Sequence, residues 1–210
     1  MSKSIPLLLV ILLAFTSVPF AQQRYGVTNL KIGYFGPKDA NGGLIVGGTL
    51  GSAVDERVDV GLGVDFFTGG NKKEVVTGSE TIGGITEKES YLDSESSLTL
   101  IPITALINVK IPASYDLFYT VGGGAGYGLL WTKESEYSTT GEKTGTKSRF
   151  YRGFRWMITG GFMYKLGSRS SLLLEAFYDS SELSRKKENL SYKVNPSGFG
   201  IRTGVRIGIL

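Results

Sequence analysis

Apolar residues alternate with other residues at the end of the chain, in the stretch GFGIRTGVRIGIL (198–210). One set of alternate positions is apolar apart from Thr203, and the other is mostly glycine, together with Arg202 and Arg206. A repeat of two residues predicts a β-strand with two unlike faces. A soluble strand places polar side chains on its second face, so a face built of glycine and arginine indicates a different kind of fold.

The same alternation recurs along the chain and predicts eight strands, with no helical stripe of useful length. One face of these strands contains no charged residue, although charged residues make up 20% of the chain. We place the strands at 26–36, 43–54, 58–67, 98–111, 117–131, 152–166, 171–178 and 198–210.

The second face of the predicted strands carries glycines and charged side chains. We interpret the uncharged face as lipid-facing and the second face as the lining of a closed barrel, because an open sheet edge in hydrocarbon leaves backbone groups unpaired. A soluble barrel with the faces exchanged is the alternative, but it would expose many strand glycines to water, where glycine weakens a strand. The charged residues of the second face are Lys31, Asp59, Asp65, Lys110, Arg155, Lys165, Glu175, Arg202 and Arg206.

The connections between the predicted strands sort by length. The long polar ones all fall at one end, which is typical of outer-membrane barrels with short periplasmic turns and long external loops. The sequence therefore predicts an all-β fold, an eight-stranded antiparallel up-and-down transmembrane β-barrel with a periplasmic N-terminus. The short connections are 37–42, 55–57, 112–116 and 167–170, and the long ones are 68–97, 132–151 and 179–197.

The N-terminal segment has the features of a secretory signal peptide. Lys3 precedes an apolar run at 5–15, and the small residue Ala21 precedes the polar Gln22. This order predicts cleavage after Ala21. We expect residues 1–21 to be the signal peptide and residues 22–210 to form the barrel domain.

The middle of the chain carries the most characteristic run, IPITALINVKIPASYDLFYTVGGGAGYGLLW (101–131), which joins a proline-containing strand, a tight turn and a glycine-rich strand. With LLLEAFY (172–178) and GFGIRTGVRIG (198–208), it resembles the small outer-membrane β-barrel superfamily of the OmpA, OmpX, OmpW and opacity-protein type, over about 25–210. The resemblance implies the outer membrane of a Gram-negative bacterium and insertion by its assembly machinery. Family members usually end in an aromatic residue, whereas this chain ends in Leu210.

The amino-acid composition excludes several kinds of chemistry. The chain has no cysteine and no histidine, so it can form neither a disulfide nor a Ser-His or Cys-His nucleophile pair. We expect no enzymatic activity, no cofactor and no metal site. The net charge of +4 is small and scattered, which argues against nucleic acid as a partner.

Two functions fit this barrel. The first is a structural or surface-interaction role through the long external loops, with a largely plugged lumen and a loop partner that the sequence does not identify. The alternative is a narrow pore or a conduit for small or apolar molecules, as the resemblance to OmpW-like members implies. The inward positions are apolar for an aqueous channel, because they include Leu100, Leu106, Phe118, Leu130, Met157, Met163, Leu173 and Phe177.

The inward charges form the first candidate site, a charge network in the lumen. We expect Glu175 to be held by Arg155, Arg202 or both, with Arg206 able to replace Arg202, because a lone carboxylate in a narrow lumen is costly. Asp59 and Lys110 form a second predicted pair near the periplasmic end. The whole predicted network is Glu175, Arg155, Arg202, Arg206, Asp59, Asp65 and Lys110.

Basic residues near the outer ends of the strands form the second candidate site. Arginine suits bidentate contact with phosphate, and the phosphates of lipopolysaccharide lie at this level of the membrane. We therefore expect outer-membrane lipid and lipopolysaccharide as partners, with candidate lipopolysaccharide contacts at Arg149, Arg152, Arg185, Lys186 and Lys187.

Overall fold

The computed structural model describes residues 26–38, 40–82, 85–137, 143–187 and 190–209. The expected signal peptide and Leu210 lie outside the described residues. The described residues contain no helix long and apolar enough to cross a bilayer. Their strands are β1 (Gly26–Pro37), β2 (Gly43–Ala53), β3 (Val58–Ile82), β4 (Ile85–Pro112), β5 (Leu117–Tyr137), β6 (Lys143–Lys165), β7 (Ser170–Ser181), β8 (Leu183–Lys187), β9 (Leu190–Val194) and β10 (Gly198–Ile209).

Eight of these strands form a closed antiparallel barrel. Strands β1 to β6 each pair with the next strand along the chain, and β7 pairs with β10. The barrel closes between β1 and β10, which pair continuously from Gly26↔Ile209 to Pro37↔Gly198. The predicted eight-stranded up-and-down transmembrane barrel is therefore confirmed.

One end of the barrel, here called the turn end, has three tight connections between β2 and β3, β4 and β5, and β6 and β7. In each, an N–H at the start of the turn donates to a carbonyl four residues on, as Ala113 does to Leu117 at 2.9 Å. In the first turn, the Asp55 carboxylate also accepts the backbone N–H groups of Arg57 at 2.6 Å and Val58 at 2.7 Å. This side-chain mimic of a backbone turn is typical of aspartate.

The opposite end, here called the hairpin end, differs from the expected polar loops. Strands β3 and β4 remain paired as far as Ile82↔Ile85, and β5 and β6 as far as Tyr137↔Lys143. Most of 68–97 and 132–151 is therefore strand. The short strands β8 and β9, within 179–197, also form a hairpin that the sequence pattern did not predict. Beyond the membrane both faces of a strand are in contact with water, so such a strand does not need alternating apolar residues. The sequence pattern therefore does not reveal it.

The two faces of the barrel strands differ as the alternation predicts. Leu62, Leu50 and Phe199 on the outer face are 61%, 67% and 72% exposed, whereas Phe67 and Leu130 on the inner face are fully buried. Exposed large apolar side chains occur on all eight strands of the barrel, so they form a belt around it. Soluble proteins expose such side chains only in limited patches, and an apolar belt is the lipid-facing surface of a transmembrane barrel.

Glycines on the inner face make room for long side chains. A Cβ atom on Gly47 of β2 would overlap the Asp65 carboxylate, and one on Gly200 of β10 would overlap the Phe177 ring. Gly160 of β6 is a lipid-facing contrast, because a Cβ there would meet nothing within 4 Å. The inner glycines therefore let charged and aromatic side chains cross the lumen of a narrow barrel.

Candidate functional site: the lumen and the outer rim

The lumen is filled by side chains at successive levels along the barrel axis. The order follows the inward positions of each strand, so β3 carries Asp59 near the turn end, then Asp65, and then Phe67 toward the hairpin end. On β10, Arg206 and Arg202 occupy the two lower levels in the same way. The lumen therefore has a lower charged level, a central charged level and an apolar level.

The apolar level lies toward the hairpin end. The Phe35 ring meets Phe67 edge to face, with centroids 5.2 Å apart, and stacks on Phe177 with centroids 5.6 Å apart. Leu183 of β8 is fully buried in the same cluster, and Val194 of β9 packs against it. The unexpected hairpin thus covers the end of the barrel with apolar side chains. The apolar level belongs to a larger cluster of buried apolar residues, which reaches down one wall to Leu106, opposite Gly61. The buried members of this cluster are Phe35, Ile45, Phe67, Leu98, Leu100, Leu106, Leu130, Tyr151, Met157, Phe177 and Leu183.

The central level is a network of ion pairs. The Glu175 carboxylate lies 2.5 Å from Lys31 Nζ and 3.5 Å from Arg202 Nε. Arg202 also lies 3.4 Å from the Asp65 carboxylate. Its guanidinium stacks over the Phe177 ring at 4.8 Å, which joins this level to the apolar level above. The side chains of Lys31, Glu175 and Arg202 are at most 5% exposed, so water does not screen these contacts as it does at a surface.

Glu175 is held by one of the two expected arginines. Arg202 contacts Glu175, whereas Arg155 forms its ion pair with Asp179, whose carboxylate also accepts a hydrogen bond from the Ser181 hydroxyl at 2.8 Å. The register of β6 and β7 explains why Arg155 does not contribute, because Glu175 is opposite Gly161 while Arg155 is opposite Ser181. Along β6, Arg155 is therefore six positions from the residue that faces Glu175, roughly 20 Å, which is beyond the reach of an arginine.

Two residues of the ion pairs in the lumen, Asp179 and Lys31, are absent from the predicted site. Asp179 fell at the first position of a predicted loop, although β7 in fact continues to Ser181. The alternation of inward residues along β7 could have found it, since Asp179 continues the series of Ser171, Leu173, Glu175 and Phe177. Lys31 was recognised as inward but not as a partner of Glu175. The strand β10 lies between them in the sheet, so their proximity depends on barrel closure.

The lower level holds three charged side chains. The Asp59 carboxylate lies 2.8 Å from Lys110 Nζ, as expected, and 3.1 Å from Arg206 Nη2. Arg206 therefore remains at this level and does not replace Arg202 beside Glu175. Below this level the lumen widens into a cavity of about 1000 Å³ that opens at the turn end. No group of potential metal-ligating side chains in the described part of the chain is arranged to hold a metal ion.

The rim of the barrel at the hairpin end, here called the outer rim, carries aromatic side chains and the predicted basic residues. Trp131 contacts Phe150 with ring centroids 5.0 Å apart, and Tyr178 contacts Phe199 at 4.7 Å. Such rings are typical of the interfacial girdle of a membrane barrel.

The predicted basic residues do not form one surface. Arg152 is exposed on the outward face of β6, and its strand neighbour across the ladder is Ser184 of β8. Arg149 is an odd number of positions away on the same regular strand, so it lies on the opposite face, where it pairs with Glu134 at 3.3 Å. Arg185 is half-buried on β8, and the side chains of Lys186 and Lys187 lie outside the described residues.

The closed barrel, its apolar belt and its filled lumen define a small eight-stranded transmembrane barrel of the outer-membrane type. The solved structure of Neisserial surface protein A agrees in fold, with a TM-score of 0.50 and 12% sequence identity over 89% of this chain and 97% of that chain. A major outer membrane protein of Thermus thermophilus has a TM-score of 0.49 and 12% identity, over 90% of this chain and all of that chain. The likeness at this identity is one of fold.

No protein-family model matches the sequence. No curated protein matches it at a significant level.

Proposed function

We propose that the protein is an integral barrel of the outer membrane of a Gram-negative bacterium, that its lumen is closed to solutes, and that it acts at the cell surface through its hairpin end. The observation that carries this proposal is the filled lumen. The apolar level and the central ion-pair level occupy the barrel one above the other. A solute would have to displace both levels, and a side chain that leaves either one loses buried contacts.

The orientation follows from the same proposal. Outer-membrane barrels turn their short connections to the periplasm and their long ones outward. This places the turn end and the N-terminus of β1 in the periplasm, and it places the paired extensions of β3 to β6 outside the cell. These extensions and the β8–β9 hairpin are the surface available to a partner.

A closed lumen has a direct electrical test. We expect the purified full-length protein to give no stepwise conductance in planar bilayers across a range of voltages, because the apolar and central levels block the axis. Regular open-channel steps would favour the alternative of a narrow pore.

The orientation has a separate test. Intact cells treated with protease should be clipped within 68–97, 132–151 or 179–197 and spared at 55–57. Cleavage at 55–57 from outside would overturn the orientation.

Lipopolysaccharide is the proposed membrane partner at the outer rim, and Arg152 is its leading contact. On the lipid-facing side of β6, Arg152 is the next residue toward the hairpin end after Trp156 and Phe154. Its guanidinium therefore lies just beyond the aromatic girdle. Lipid phosphates lie at that level, and an arginine can bind them with two parallel hydrogen bonds. Arg149 lies three residues farther toward the hairpin end of β6, and Arg185, Lys186 and Lys187 belong to β8.

The position of Arg152 leads to a specific prediction. We expect Arg152→Gln to weaken binding of purified lipopolysaccharide about tenfold, because a charge-assisted contact is lost. The matched variant Arg149→Gln should have little effect, since Arg149 lies on the other face and already pairs with Glu134. Titration of fluorescent lipopolysaccharide into the detergent-solubilised barrel measures both. Equal affinities for wild type and Arg152→Gln would remove this contact from the proposal.

A further inference from the structure

The cavity at the turn end is a second, separate feature of the lumen, here called the vestibule. Its volume is about 1000 Å³, and its lining joins the three tight turns to the lower charged level. Lys110 and Arg206 form its floor, while Val27, Phe118 and Met163 contribute apolar wall. A volume of this order accommodates a small organic ligand.

The charges of the vestibule are unbalanced. In the levels above it, the three cations Lys31, Arg155 and Arg202 are matched by the three carboxylates of Glu175, Asp65 and Asp179. In the floor, by contrast, two cations share one carboxylate, that of Asp59. Lys110 is only 6% exposed, so the excess positive charge belongs to a built and largely buried site.

The mouth of the vestibule adds further positive charge. Arg57, Lys165 and Arg169 line it, against the carboxylates of Asp55 and Glu56. The Asp55 carboxylate is engaged by two backbone N–H groups of its own turn. Lys165 is held over the Phe118 ring at 4.6 Å, which keeps an ammonium group at the wall. Cations thus occur at two depths, with apolar surface between them.

We propose that the vestibule binds a small anion that carries phosphate groups. Arginines at the floor and at the mouth provide planar donors that match phosphate oxygens, and cations at two depths suit a ligand with more than one charge. The apolar wall suits a short organic part. Because the levels above are filled, the ligand binds in a closed cup and does not cross the barrel. The proposal rests on the proposed function only in placing the cup in the periplasm.

Equilibrium dialysis tests the site directly. The probes are radiolabelled pyrophosphate and glycerol phosphate, with the folded full-length protein in a zwitterionic detergent. We expect saturable binding of one pyrophosphate per barrel that weakens as salt rises, since salt screens the cations. The absence of saturable binding for both probes would overturn the proposal.

Two sets of variants locate the binding. The variant Asp59→Asn/Lys110→Gln/Arg206→Gln removes the floor charges together, so that no partner is left unpaired, and we expect about tenfold weaker binding or more. The variant Arg57→Gln/Arg169→Gln changes only exposed turn residues and should weaken binding severalfold even if the floor variant fails to fold. The control Lys38→Gln/Lys133→Gln removes two exposed cations at the hairpin end and should bind as wild type does. Unchanged binding in the mouth variant, or an equal loss in the control, would overturn the proposal.

The source of the phosphate is resolved by competition. Phosphatidylglycerol vesicles that displace pyrophosphate, where phosphatidylcholine vesicles do not, would assign the site to a lipid headgroup, and a lack of displacement would assign it to a soluble phosphate. Either result supports the phosphate site. The dialysis result is independent of the conductance test, so an open channel would overturn the closed lumen and leave the binding site standing.

Discussion

Replacement of Glu175 by Gln is expected to lower the free energy of unfolding by about 3–5 kcal/mol, the usual cost of removing one partner of a buried ion pair. The change keeps the shape of the side chain but leaves the two cations Lys31 and Arg202 with one carboxylate, that of Asp65, in the central level. Lys31 and Arg202 lose their shared partner in a part of the lumen where their side chains are at most 4% exposed. Urea unfolding of the barrel in lipid vesicles, followed by tryptophan fluorescence, measures the change.

The matched control for Glu175→Gln is Glu182→Gln. Glu182 pairs with Lys193 at the hairpin end, where both side chains are roughly two-thirds exposed, and such pairs contribute at most about 1 kcal/mol. A second variant, Lys31→Met/Glu175→Gln, removes one charge of each sign and should regain part of the loss, because the remaining charges balance. If Glu175→Gln costs no more than Glu182→Gln, the central level is not stabilised by its ion pairs.

Replacement of Phe67 by Ala is expected to cost about 3–5 kcal/mol as well, but for a different reason. Phe67 is fully buried beside Phe35, so truncation leaves a cavity that its packed neighbours fill only in part. Barrel conductance should nevertheless stay silent, since the central ion-pair level lies below and remains intact. The same unfolding assay and a planar bilayer recording measure the two effects.

The neighbouring residue provides the control for Phe67→Ala. Phe66 lies on the lipid-facing side and is 48% exposed, so lipid chains fill the space that its ring vacates. Phe66→Ala should therefore lower the free energy of unfolding by about 1–2 kcal/mol. This loss is the transfer free energy of the ring alone, because no cavity is left. Equal destabilisation by the two variants would mean that the apolar level is not tightly packed. Stepwise conductance in Phe67→Ala would mean that this level alone closes the lumen.

The register of β6 and β7 can be predicted from the sequence. These strands are joined by the tight turn at 166–169, and Lys165 lies opposite Ser171 directly beside it. Counting outward from this turn places Glu175 opposite Gly161, far from Arg155. Hairpin register follows from turn length, so the sequence contains enough information to assign Glu175 to Arg202 and not to Arg155.

The ion pair of Glu175 with Lys31 could not be predicted from the sequence. Between β7 and β10 lies a long connection that contains its own hairpin, and β1 reaches β10 only when the barrel closes. No turn fixes these registers, and residues with no local relation in the chain come together across them. Arg202 and Asp65, which are 137 residues apart, are a further example.

The alternation of residues along the chain is enough to distinguish the residues that face lipid from those that face the lumen, because successive side chains of a strand point to opposite sides and lipid admits no charge. It also predicts the eight strands of the barrel and the three tight turns, since alternation and turn residues are local properties. The three-dimensional structure was needed to establish which inward charges meet, how far the strands extend beyond the membrane, and that the lumen ends in a cationic cup. Those features depend on the stagger between strands and on closure of the sheet, and both are set by the packing of the whole barrel.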